Sequence, residues 1–168
     1  MSLIVSPDGE ARWRGRRLRC ALGRSGVVAA NDKREGDGAT PAGLWAFRRA
    51  LYRPDRLKAP DTALKLAPIA PQDGWCDAAN DPLYNRPVTL PFAASHETLW
   101  RDDALYDLIV VLGHNDDPPV AGQGSAIFLH VAAKDYAPTE GCVALACDDL
   151  LTVVTGCTVD EAIDIRLG

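Results

Sequence analysis

Short apolar runs broken by Pro, Gly, Asn and Asp recur along the whole chain: "SLIV", "LRCAL", "GVVAA", "LWAFRRALY", "ALKLAPI", "YDLIVVLG", "SAIFLHV", "CVALA" and "AIDIRL". Runs of this length, rich in Val, Ile, Leu and aromatic residues and bounded by turn formers, suit strands better than helices. The expected fold is therefore mainly β. Two stretches read as short helices instead. In "SHETLWRDD", Ser95 can cap a turn that carries Glu97 in its first positions, and in "CDDLLTVVTG", Asp148 or Asp149 starts the element and Gly156 stops it. Segments 31–43 and 70–91, rich in Pro, Gly, Asn and Asp, read as surface loops, where binding and catalysis tend to gather.

At 168 residues, with no internal repeat and no linker-like stretch, residues 1–168 are expected to form a single domain. A hydrophobic content of 47% with 24% charged residues excludes a disordered or fibrous chain. The net charge of -5 argues against a nucleic-acid partner, which would meet a basic face. The one basic cluster, "RWRGRRLR" from Arg12 to Arg19, alternates with apolar residues as a strand with a solvated face does. No segment reaches the roughly 18 consecutive apolar residues of a membrane span, and the opening "MSLIVSPDGE" is too short for a signal-peptide core.

Five cysteines, Cys20, Cys76, Cys142, Cys147 and Cys157, are scattered with no C-x-x-C pair, which argues against a structural zinc site. Cys20, Cys147 and Cys157 lie among apolar neighbours as small core residues do, and Cys76 falls in a predicted loop. Cys142 differs, because it follows Gly141 and is separated from His130 by eleven residues, at the head of the next apolar run. If the strands ending at His130 and beginning at Cys142 are neighbours, the two side chains meet. A histidine beside a thiol is the arrangement that activates a cysteine nucleophile, a glycine there permits a positive φ, and backbone N–H groups nearby can hold an oxyanion. Thr139 is placed to orient the loop or a substrate. On these residues alone, catalytic pairing and ordinary core packing both remain open. His114, followed by Asn115, Asp116 and Asp117, reads either as turn chemistry or as a substrate contact. His96 reads as a surface residue.

"LHVAAKDYAPTEGCVAL" resembles the signature of the YkuD-type L,D-transpeptidases, in which a strand-ending His is followed by Ser or Thr, one variable residue, and Gly-Cys; here these are His130, Thr139, Glu140, Gly141 and Cys142. Upstream, "DGATPAGLWAF" is similar to the Thr-Pro-x-Gly segment of the same family through Thr40, Pro41 and Gly43, and "TGCTVDEAIDI" is similar to its closing turn and strand. The resemblance spans residues 18–166 and points to a compact branch. It implies a mainly β, sandwich-type catalytic domain with a few short helices. It further implies a cysteine acyl-transfer mechanism on peptidoglycan stem tetrapeptides or muropeptides. In that mechanism Cys142 is the nucleophile, His130 the base, and the backbone around Gly141 the oxyanion holder. An acceptor amine gives a cross-link; water gives an L,D-carboxypeptidase.

No cofactor or metal is expected, and carbapenem-type β-lactams are the expected inhibitors. Many members carry His where this chain has Glu140, and Arg or Asn where it has Ala144. Substrate contacts are therefore expected from Thr139, His114, Asn115, Tyr84, Asn85 and Arg86. Two alternatives stay open: a wall-peptide binding module of the same fold without turnover, and a metal-dependent hydrolase on His114, Asp116 and His130. The family implies the cell envelope or periplasm, whereas the absent signal sequence allows a cytoplasmic site.

Overall fold

A computed structural model of the chain describes residues 2–168. Strands β1 (Ser2–Val5), β2 (Glu10–Trp13) and β3 (Arg16–Ala21) form an antiparallel meander, followed by the short β4 (Val27–Val28), a 3-10 turn at Ala30–Asp32 and β5 (Thr40–Pro41). The long β6 (Gly43–Tyr52) leads to β7 (Leu66–Pro68), then to β8 (Asp73–Cys76), β9 (Pro87–Thr89) and β10 (His96–Thr98). The chain closes with β11 (Leu108–Leu112), β12 (Phe128–Val131), β13 (Val143–Leu145), helix α1 (Cys147–Gly156) and β14 (Ala162–Ile165).

Nine strands form one sheet in the order β11-β12-β13-β3-β2-β1-β14-β6-β7, and β6 also pairs with β11. That last pairing closes the sheet into a barrel-like ring with β7 outside it. A separate three-stranded sheet, β10-β8-β9, covers part of the ring's outer face. Leu3, Val5, Phe47, Leu108, Val110, Leu129, Val143 and Ile163 fill the main core. Helix α1 packs against it through Leu150, Val153 and Val154, a spacing that places all three on one face. Each such fully buried side chain stabilises the fold by roughly 1.5–3 kcal/mol. Asp148 and Asp149 lie in the first turn, where the helix dipole favours negative charge.

The mainly β architecture agrees with the sequence expectation, and so does the helix at residues 147–156. The expected helix at residues 95–103 does not form. Residues 96–98 are strand β10, paired antiparallel to β8 with Glu97 opposite Trp75. Tertiary pairing here outweighs the local capping pattern. Segment 70–91 is likewise not all loop, since it contains β8 and β9, and Cys76 is a fully buried strand residue. Arg12 and Arg17 behave as a solvated strand face, both exposed and both bonded to Glu10. All five cysteines are free thiols.

Candidate active site

Strands β11, β12 and β13 are buried on both faces, and alternation along each strand divides their side chains between two cores. Leu108, Val110, Leu129, Val131, Val143 and Leu145 point into the ring. Ile109, Val111, Phe128 and Cys142 point outward to a smaller cluster with Trp75 and Tyr106. β12 and β13 pair in parallel, Leu129 opposite Val143 and His130 opposite Ala144, so Cys142 lies beside Phe128. His130 is two residues beyond Phe128 and shares its face. The strand register thus brings His130 and Cys142 to one side of the sheet, and both line a cleft of about 830 Å³.

The His130 Nδ1 lies 2.8 Å from the Val131 carbonyl oxygen. A carbonyl only accepts, so Nδ1 carries the proton and Nε2 keeps the lone pair of a base. Burial, helped by the Arg101 guanidinium, lowers the His130 pKa despite that carbonyl, and the ring is neutral at pH 7. The Cys142 thiol donates to the Ala126 carbonyl at 3.2 Å and accepts from the Phe128 N–H at 3.3 Å. Burial, reinforced by the Glu97 carboxylate, pushes its pKa up to about 12. In the resting cleft the thiol and the imidazole are both neutral, and the hydrogen bonds of the thiol go to Ala126 and Phe128 rather than to His130.

This has a measurable consequence. Alkylation of Cys142 by iodoacetamide is expected to run roughly a thousandfold slower at pH 7 than that of an unperturbed thiol, whose pKa is about 8.5, and to climb about tenfold per pH unit without a plateau up to pH 10. Peptide mapping separates Cys142 from the other thiols. A plateau near pH 7 would instead establish a thiolate at rest.

The turn before the cysteine is built by both sequence motifs. Gly141 has φ +138°, and a Cβ there would lie 2.8 Å from the Ala39 carbonyl oxygen. Glycine is therefore required on two counts, conformation and space. The Thr139 hydroxyl donates to the Cys142 carbonyl at 2.7 Å and accepts from the Gly141 N–H at 3.1 Å, tying the turn together. Thr40, fully buried, accepts the Gly23 N–H at 2.8 Å through its Oγ1. Gly23 in turn bridges to Thr139, whose N–H donates to the Leu22 carbonyl and whose carbonyl accepts the Arg24 N–H. The upstream Thr-Pro-x-Gly segment is in this way the floor beneath the Gly-Cys turn. Glu140 points outward and pairs with Arg24 at 3.1 Å, an exposed contact of little energetic weight.

Most of the remaining cleft comes from residues 96–106, read from the sequence as a short helix and not as part of a site, with Ala133, Ala137 and Pro138 completing it. The Tyr106 ring stands edge-on to the His130 ring with centroids 5.4 Å apart, and its hydroxyl donates to Glu97 Oε2 at 2.5 Å. Burial raises the Glu97 carboxyl above its ordinary range, against the Tyr106 hydrogen bond that lowers it. Arg101 at the rim is paired with Asp103. His96, expected at the surface, is half-buried in the cleft wall with Nδ1 2.8 Å from the Ala94 carbonyl. No pattern in the sequence marks Glu97 and Tyr106, because their meeting depends on β10 pairing with β8.

Of the expected substrate contacts, Thr139 lines this cleft. Tyr84, Asn85 and His114 are buried. Tyr84 bonds to Glu35 and to the Gly124 N–H. Asn85 joins Trp75 and Ala126 to the carbonyls of His114 and Asn115. His114 stacks edge-on against Trp45, and burial holds its pKa down at about 4. Asn115 takes φ +48° and closes its own loop onto Val120 and Gly124. Arg86 is exposed and lines a different cavity. Asp116 is bonded to Arg48. The trio His114, Asp116 and His130 does not converge, and among the described residues no group of three His, Cys, Asp or Glu side chains is placed to hold a metal ion. Nor is any helix among them long and apolar enough to cross a membrane.

The family model of the YkuD L,D-transpeptidase catalytic domain matches residues 2–165. No curated protein and no solved structure matches the chain.

Proposed function

Since this chain belongs to the YkuD family of L,D-transpeptidase catalytic domains, we propose that it is a cysteine acyltransferase acting on peptidoglycan stem tetrapeptides. The Cys142 sulfur attacks the carbonyl that precedes the terminal D-residue, and the thiol proton passes to His130 Nε2. The C–N bond breaks, the imidazolium returns that proton to the leaving D-amino acid, and a thioester remains on Cys142. An acceptor amine then attacks the thioester, loses a proton to His130 and restores the thiol as the new amide forms. Water in place of the amine gives a carboxypeptidase. The common cleft of Cys142 and His130, with Nδ1 committed to Val131 and Nε2 left as base, carries this reading.

Transition-state charge falls to the backbone of the Gly141–Cys142 turn. The Gly141 N–H is held by the Thr139 hydroxyl at rest and has to exchange that acceptor for the oxyanion. Thr139 therefore governs the cost of this step. Of the cleft-lining carboxylates Asp103 is paired with Arg101 and Glu140 with Arg24, which leaves Glu97 and Asp102 to face the cationic amines of stem peptides. The same thiol would open a carbapenem ring to a stable acyl adduct.

The buried thiol, bonded to Ala126 and Phe128 and raised to about 12, favours a second reading, a peptide-binding module without turnover. Incubation with a disaccharide-tetrapeptide, followed by mass spectrometry of protein and products, separates the two. Released D-amino acid with cross-linked dimer or tripeptide is the expected result. Saturable binding with neither thioester nor released D-amino acid would replace the enzyme with the binding module.

A further inference from the structure

A second cavity, of about 360 Å³, takes Trp75 and Phe128 as its wall and does not include Cys142 in its lining. Their rings meet edge-on at 5.1 Å. Four cations, Arg48, Arg49, Lys65 and Arg86, face it against a single carboxylate, Asp116. Arg48 spends its fork on that carboxylate, with Nε at 2.7 Å and Nη2 at 3.1 Å. Among the described residues, Arg49, Lys65 and Arg86 have no carboxylate partner. Arg49 stands on the outward face of β6, opposite Val111, with its guanidinium 5.7 Å from the Trp75 ring centroid. Its Nε is buried and has no hydrogen-bond acceptor.

We propose that this cavity is a binding site for an oxyanion, carboxylate or phosphate, carried on a small organic group. A buried N–H without an acceptor costs free energy that a bound acceptor recovers. A guanidinium fork matches the geometry of carboxylate and phosphate alike, and two further unpaired cations concentrate positive potential in a chain whose net charge is -5. The apolar side of the cavity, Val111, Ile127, Phe128 and Trp75, receives the organic group that bears the anion. The site is defined without Cys142 and stands whether or not the acyl-transfer reading holds. The carboxylate terminus of a peptide and a phosphoryl group are its two sources.

Nuclear magnetic resonance of the full chain tests it, following the Trp75 indole N–H and the Arg49 Nε–H. Inorganic phosphate and N-acetyl-alanyl-alanine are titrated separately, with ionic strength held constant by sodium chloride. Saturable shifts are expected with at least one probe. They should weaken about tenfold or more in Arg49→Gln and in Arg86→Gln, and persist in Cys142→Ala. Saturation by the dipeptide alone assigns the site to peptide carboxylates, and by phosphate alone to phosphoryl groups. Arg86 is exposed, so its replacement spares the fold. Undiminished affinity in Arg86→Gln, or equal shifts from sodium chloride alone, would overturn the proposal.

Discussion

Cys142→Ala is expected to release no D-amino acid from a stem tetrapeptide and to gain no mass from a carbapenem, a loss of at least about a thousandfold in turnover. The fold should survive, because the side chain removed is small. It nevertheless leaves the buried Phe128 N–H and Ala126 carbonyl without the sulfur they contact, at a cost of about 1–3 kcal/mol. Cys142→Ser controls for this, since a hydroxyl keeps both hydrogen bonds while being a far weaker nucleophile at this pH. The two variants should therefore differ in melting temperature and agree in lacking the adduct. Turnover retained in Cys142→Ala would remove the thiol from the mechanism altogether.

His130→Gln is expected to lower turnover by about 10²–10⁴-fold, the usual worth of a positioned base. Glutamine keeps an amide that can donate to the Val131 carbonyl but offers no basic nitrogen to the thiol. The pH profile supplies a second readout. On the proposed mechanism the neutral imidazole is the active form, and burial depresses its pKa, so wild-type activity should fall only as pH drops below the ordinary imidazole range. The acid limb should disappear in His130→Gln. A wild-type limb above pH 7, or one unchanged in the variant, would assign the titration to another group.

Much of this architecture could be read from the chain, because a buried strand needs a continuous apolar run and little else. β11, β12 and β13 announce themselves this way, β1, β6 and β14 do so through short, largely apolar runs with one face buried, and α1 through two acidic residues at its start and three apolar residues on one face. The three-stranded outer sheet was hidden. β8 carries Gly74, where a Cβ would lie 2.9 Å from Leu90 Cδ2, and β9 opens on Pro87, so close packing uses the residue types that otherwise mark turns. In β10 the sequence from Ser95 mimics a capped helix, and only the pairing with β8 decides against it.

The site divides along the same line. The Gly141–Cys142 turn and its upstream partner were visible as motifs, whereas their junction through Gly23 was not, since a lone glycine carries no sign of the Gly38 carbonyl that a Cβ there would strike. Glu97 and Tyr106 were invisible for a different reason. Each is ordinary in its local context, and they meet across nine residues only because the chain folds back over His130.

The double-sided burial of β11, β12 and β13 sets adjacent codons under different rules. Val143 and Leu145 answer to the barrel, and a change there is judged by how the whole chain melts. His130 and Cys142, one step out of phase, line the cleft, and Phe128 on the same face walls the second cavity. Substitutions at the outward positions of these strands and in the overlying 96–106 segment therefore reshape the cleft and the outer cluster while leaving the packing of the ring in place.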